Sequence, residues 1–174
     1  MSKKERKVRT DFLSHALTTV KIYKAMPMAP GMEQSEIDSF LLSSKTPLRL
    51  ATTNSKGEPN IHPVWYHYAN NKLYLMSTKD TVKVRNIKQN STVYFSVDTD
   101  AMPNRGVKGK GTATILKDAG KALSISEKIV AKYLGDLNST MAKNMINEVR
   151  KGTEVLVEIA PKYFSTWDYT KSKI

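Results

Sequence analysis

The sequence predicts a mainly β, α+β chain: six antiparallel strands curled into a small barrel with a few helices packed on it. Three observations predict it. Six apolar runs of strand length stand at 46–54, 61–68, 72–77, 91–98, 107–116 and 154–169. Short turn-rich links such as "NSKGEPN" and "ANN" join them as hairpins. Helical periodicity takes over late, across residues 118–151, which adds helices to one side of a small all-antiparallel sheet.

Residues 1–31 read as an appendage to a compact domain spanning 32–174. The "KKERK" start is polar, "FLSHALTTVKIY" at 12–23 has a loosely amphipathic helical pattern, and Pro27, Pro30 and Gly31 make a linker. A helix follows, with Ser35 as cap, Asp38 three residues on, and Ile37, Phe40 and Leu41 as its apolar stripe. "IHPVWYHY" is expected as one strand that Pro63 interrupts or confines to an edge. "KLYLMS" runs into hydroxyls and charge, Ser77, Thr78, Lys79 and Asp80, and then a short basic helix carrying Lys83 and Arg85. In "VKGKGTATIL", alternation puts Val107, Gly109, Gly111, Ala113 and Ile115 on one face, where the glycines suggest close approach by a backbone or a flat ligand. Asp118 caps the first late helix and Gly135 stops it, with Ile125, Ile129, Val130 and Tyr133 inward. Ser139 caps the second and Gly152 stops it, with Met141, Met145, Ile146 and Val149 inward. Pro161 is expected to break the final strand.

With 174 residues the chain suits one domain, long enough to bury a core without staples. It has no cysteine, which excludes disulfides, thiol chemistry and cysteine–zinc sites. No apolar run has the length of a membrane span and no signal-peptide core stands at the start, so a cytoplasmic location is expected. The net charge is +12. Residues 1–31 contribute +5 through Lys3, Lys4, Arg6, Lys7, Arg9, Lys21 and Lys24 against Glu5 and Asp11. Such charge suits phosphates, whether on nucleic acid, lipid or a small ligand, or simply keeps the surface soluble. No aromatics interleave with the basic residues of 1–11, so a stacking single-strand site is not expected there, and only a non-specific grip on nucleic acid remains for the arm.

The three histidines are not expected to form a metal site. His62 and His67, an odd number of residues apart on one strand, would face opposite ways, and His15 lies in the arm. No nucleophile elbow and no paired carboxylates stand out, which fits a binding protein or an enzyme whose cofactor does the chemistry. The stretch "STKDTVKVRN" is the best candidate site. Ser77 and Thr78 would stand where free helix N–H groups converge, and Lys83 adds a full charge, as a phosphate cradle needs. The plainer reading is a solvated helix with a capping hydroxyl. Upstream, the interrupted strand 62–67 would leave backbone groups free to meet the polar rim of a planar heterocycle.

In order, "LRLATTNSKGEPNIHPVWYHY", "KLYLMSTKDTVKVRN", "RGVKGKGTATI" and "YFSTWDY" resemble the FMN-binding split β-barrel superfamily of pyridoxamine 5′-phosphate oxidase and its relatives, from about Met32 to Lys171. The resemblance implies a homodimer with two cofactor sites at its interface. It implies that His62, Pro63, Val64, Trp65 and Tyr66 run along a flavin ring and supply main-chain bonds to it. Ser77 and Thr78 match positions near the ribityl-phosphate chain, and Val82 and Lys83 match a basic pair of which Lys83 contacts the phosphate. Trp167 matches an aromatic near the flavin.

Oxidases of the pyridoxamine branch show Arg-Lys where this chain has Val82-Lys83, and Arg-Gln where it has Arg105-Gly106. They also continue into a basic substrate-binding segment where this chain stops at Ile174. The expectation is therefore an FMN-dependent oxidoreductase other than a pyridoxamine 5′-phosphate oxidase, exchanging electrons with a small-molecule donor or acceptor. A reductase using the deazaflavin coenzyme F420 is the alternative, and a non-catalytic flavin-binding store is the alternative of another class. Tyr66 and Tyr68 are candidate proton donors, with core packing as the plainer role.

Overall fold

The computed structural model describes residues 20–172. The N-terminal basic run, His15 and most of the expected 12–23 helix lie outside the described residues. The chain forms β1 (Lys21–Lys24), α1 (Gln34–Ser43), β2 (Leu48–Thr53), β3 (Pro59–Val64), β4 (Tyr66–Ala69) and β5 (Lys72–Thr78). It continues with α2 (Val82–Gln89), β6 (Thr92–Asp98), β7 (Arg105–Ile115), α3 (Ala119–Leu134), α4 (Thr140–Lys151) and β8 (Glu154–Asp168).

Seven strands lie in the order β3-β2-β6-β7-β8-β5-β4, every pairing antiparallel. The two ends of that path, β3 and β4, are consecutive in the chain and separated by Trp65 alone. A chain rises only about 3.3 Å per extended residue. The outer edges of the sheet are therefore held together covalently, and the sheet must curl into a barrel whose seam, between β3 and β4, is split. The expected six strands become eight for two reasons. "IHPVWYHY" is two strands, and Lys21–Lys24, expected at the end of a helix, adds β1 in parallel to the far half of β8. β1 takes the edge of β8 that β5 leaves after Ile159. The residues after β1 are bonded to the same strand: Met32 N–H donates to Thr166 Oγ1 at 2.9 Å and Asp168 N–H to Pro30 O at 2.8 Å.

Pro161 does not break β8. The register slips opposite Lys110 and Gly111, so Lys162 is an extra, bulged residue and pairing resumes at Tyr163. The glycines of β7 are explained from within the chain. A side chain at Gly109 would strike the Tyr163 carbonyl and the Phe95 ring, and one at Gly111 would stand 2.9 Å from Ala160 O. The close approach seen within the chain is by its own β8, joined at Gly109 by the Phe95 ring of β6.

The barrel interior holds Leu48, Leu50, Leu73, Leu75, Val157, Ile159 and Phe164, with Ile37, Phe40 and Leu41 of α1 closing one end. The N-cap of α1 is Glu33, two residues before the expected cap, and its N–H donates to Glu36. α3 starts at Asp118, which accepts from Lys121 N–H at 2.9 Å, and α4 at Ser139, which accepts from Ala142 N–H. Gly135 and Gly152, at φ 79° and 72°, end them as expected. α3 covers the outside of β5 and β8 through Ile125, Ile129, Tyr74 and Leu156. α4 packs on α3 through Ala142 and Ile146, and Met141, expected inward, is exposed. Among the described residues no helix is long and apolar enough to cross a membrane.

Candidate functional site

The seam builds the first wall. β3 ends on β2 and β4 begins on β5, so Trp65 has no partner in either ladder. α3 braces it instead. The Trp65 indole stacks on Tyr133, ring centroids 4.8 Å apart and planes 2° apart, and Tyr66 N–H donates to Tyr133 Oη at 3.4 Å. Tyr66 itself is a core residue. It is fully buried and its hydroxyl donates to Leu41 O at 3.0 Å. Burial pushes its phenol above the ordinary range, so it stays protonated, and its proton is given to Leu41 O inside the core. Tyr68 is likewise buried, donating to Asp38 at 2.6 Å. Lys132 lies 3.8 Å over the Tyr66 ring and donates to Leu41 O at 3.0 Å, and burial lowers its amine to about 8.

Beside the seam lies a cavity of about 500 Å³. Pro63, Val64 and Trp65 line one side, Met76, Ser77 and Thr78 of β5 another, and Lys83 of α2 stands at its margin. The helical hairpin supplies the rest: Ile129 from α3, and Asn144, Met145 and Glu148 from α4, with Glu154 at the start of β8.

The hydroxyl-rich corner differs from expectation in one register. Ser77 and Thr78 are the last residues of β5, and the N-cap of α2 is Thr81. Thr81 Oγ1 donates back to Thr78 O at 2.9 Å and meets Ser77 Oγ at 2.9 Å, so it makes no cap bond to its own helix. The first helical hydrogen bond is Arg85 N–H to Thr81 O. The N–H groups before it therefore have no intrahelical acceptor. Lys83 is in that first turn, half-buried, and among the described residues has no ion-pair partner. Arg85 turns away, donating to Asp80 O at 2.8 Å. Thr78 is committed elsewhere: its hydroxyl donates to Glu154 at 2.6 Å, which leaves it no proton for a phosphate.

His62 adds a polar atom to the same neighbourhood. Its Nε2 is buried and has no partner among the described residues. Burial, and then the charge of Lys83, lower its pKa, so it is neutral at neutral pH. His62 and His67 belong to different strands, so the alternation that was expected to set them on opposite faces does not apply.

Of the residues expected at the site, Pro63, Val64, Trp65, Ser77, Thr78 and Lys83 meet at one cavity, with His62 beside Lys83. Tyr66 faces the core, Val82 is exposed at the start of α2, and Trp167 lies near the far end of β8, donating to Asn104 at 3.1 Å. Sequence reasoning missed Thr81, Tyr133 and the α4 wall. The first lies three residues past Thr78, across the Lys79–Asp80 turn. The others carry the same apolar spacing as core positions. A second hollow, of about 460 Å³, lies on the outer sheet face between Arg49, Ile61, Tyr94, Lys108 and Tyr163.

The family model described as pyridoxamine 5′-phosphate oxidase matches residues 34–168. No curated protein matches the chain. Among solved structures, the conserved hypothetical protein Rv2991 of Mycobacterium tuberculosis is 25% identical with a TM-score of 0.68, the match covering 79% of this chain and 86% of that one. An F420 reductase is 27% identical with a TM-score of 0.58, over 72% of this chain and 93% of that one. A FAD-binding protein of Mesorhizobium loti, 20% identical with a TM-score of 0.57, covers 80% and 96% and shares the fold.

Proposed function

The chain belongs to the pyridoxamine 5′-phosphate oxidase family, and on that premise we propose that it is an FMN-binding oxidoreductase, though not a pyridoxamine 5′-phosphate oxidase. The observation that carries the proposal is the corner at Thr81–Lys83. An uncapped helix N-terminus and an unpaired lysine stand at the margin of a cavity whose other wall is a broken strand. Lys83 and the first N–H groups of α2 would hold the phosphate, and Ser77 and Thr81 the polar chain next to it. The unladdered backbone at Pro63–Trp65 would meet the ring. A second count in favour is the neighbourhood of His62, near enough to Lys83 to feel its charge, whose buried Nε2 has no partner among the described residues, a state worth about 1–3 kcal/mol to relieve. The cofactor would supply the hydride and electron chemistry. This chain's residues bind it and orient it, and the apolar lining of Trp65, Met76 and Ile129 would keep water out of the cavity beside it.

Coenzyme F420 is the second reading, favoured by the likeness to an F420 reductase. It presents a phosphate on a ribityl chain as FMN does, so the same corner would serve. A homodimer completes the proposal. Ile61 and Tyr94 are exposed on the outer sheet face, and Trp167, distant from the cavity of its own chain, would reach a cofactor only from a second subunit.

The test is an absorption spectrum of the protein as purified, then titration with FMN and with F420. Uptake of either supports the reading, and oxidation of the reduced cofactor by added acceptors separates an enzyme from a store. Failure of both to bind at saturating concentration would end it.

A further inference from the structure

The helical hairpin α3–α4 gives the cavity a wall that the cofactor cradle does not need. We infer that the substrate meeting the cofactor here is flat, largely apolar and free of anionic groups, a neutral or cationic aromatic molecule rather than a phosphate ester, a carboxylate or a dinucleotide. The inference rests on the cofactor reading above.

The first argument is shape. Tyr133 covers one face of the Trp65 indole, so the cavity receives its other face and edge as a fixed flat surface. Ile129 is locked in the core and lines the cavity with a branched apolar side chain. Met76 and Met145 complete this part, and methionines adjust to aromatic guests at low cost.

The second argument is charge. Lys83 is the one cationic side chain lining the cavity among the described residues, and the cofactor phosphate takes it. The charged groups left on the lining are then Glu148 and Glu154. Hydrogen bonds from Thr153 and Lys151 hold the Glu148 carboxyl below its ordinary range, so it is ionised at neutral pH. Glu148 is paired with Lys151 at 2.9 Å, both side chains about half exposed, so water screens the pair and Lys151 itself does not line the cavity. Glu154 accepts from Thr78, which fixes it toward the same space. A guest carboxylate or phosphate would meet Glu154 and the Lys151-paired Glu148, with no cation on the lining beyond Lys83 among the described residues. The chain as a whole carries +12 and would attract anions to its surface. A preference for cations at this cavity is therefore the opposite of what the overall charge would produce.

The experiment uses the full chain loaded with whichever cofactor binds. Two probes of one ring system, 9-aminoacridine as cation and acridine-9-carboxylate as anion, are titrated by calorimetry. The expected result is cation binding about tenfold tighter or more, a difference of about 1.4 kcal/mol. The double variant Glu148→Gln, Glu154→Gln should bring the two probes together, and Met145→Trp, which fills the cavity, should weaken both. Equal or tighter binding of the anion would overturn the inference, as would a cation preference that the double variant leaves unchanged. If the cofactor binds and the probes fail these tests, the inference alone falls. If neither cofactor binds, the reading beneath it falls and takes the inference with it.

Discussion

Replacing Lys83 by methionine tests the site most directly, because the structure isolates what that amine does. Lys83 has no ion pair among the described residues, so the substitution breaks no bond within the protein. Methionine keeps the length of the side chain and its packing at the cavity margin. What disappears is one charge-assisted hydrogen bond to a phosphate, worth about 1.5–3 kcal/mol. At about 1.4 kcal/mol per decade, FMN should bind roughly ten- to a hundredfold more weakly. Arg85, two residues on, is the internal control. It reaches back to Asp80 O and is exposed, so Arg85→Met should leave affinity within about twofold, since exposed charges are screened. Thr78→Val should behave like the control, its hydroxyl already given to Glu154. The assay is flavin fluorescence quenching at two salt concentrations, with unfolding midpoints to show that each variant is folded. Unchanged affinity in Lys83→Met, or an equal loss in Arg85→Met, would refute the assignment of the phosphate to this corner.

Lys132→Met should be neutral or stabilising at pH 7. In the fold the amine titrates near 8, below its ordinary value of 10.5, so the unfolded chain binds the extra proton between those values. Stability of the parent then rises with pH through that window, and the strain of the buried charge is fully present below it. Leu41 O keeps Tyr66 as donor in the variant, and after allowance for solvent screening the gain is on the order of 1 kcal/mol, fading by about pH 10. Urea unfolding at pH 7 and pH 10 reads it, and a gain independent of pH would contradict the cause. Gly111→Ala should destabilise by about 2 kcal/mol in the same assay, since the new carbon meets backbone that cannot yield. Tyr133→Leu in a Trp167→Phe background should shift Trp65 emission to the red and weaken cofactor binding, while Tyr133→Phe, which keeps the stack, should restore the emission.

The parts of this protein legible in its sequence are those decided by neighbours along the chain. Alternation and turn residues placed β2, β5, β6 and β7, and Asp118, Gly135, Ser139 and Gly152 bounded α3 and α4, because caps and left-handed stops act within a turn. The hydroxyl–lysine corner was visible for the same reason, although the N-cap position proved to be Thr81, whose hydroxyl does not cap the helix, since the end of a strand depends on how far its partner extends. Tertiary structure decided the rest. Whether "IHPVWYHY" is one strand or two depends on the separate strands, β2 and β5, that its halves pair with. Pro161 sits in a continuous strand because β7 accommodates a bulge opposite it. Lys21–Lys24 is a strand because β8 outruns β5 and leaves an edge to fill. The cavity wall from α4 could not be read at all, since Met145 and Glu148 carry the spacing of any amphipathic helix. Which face of that helix meets β8 and which meets the seam is fixed by packing between residues distant in the chain, and local pattern holds no record of it.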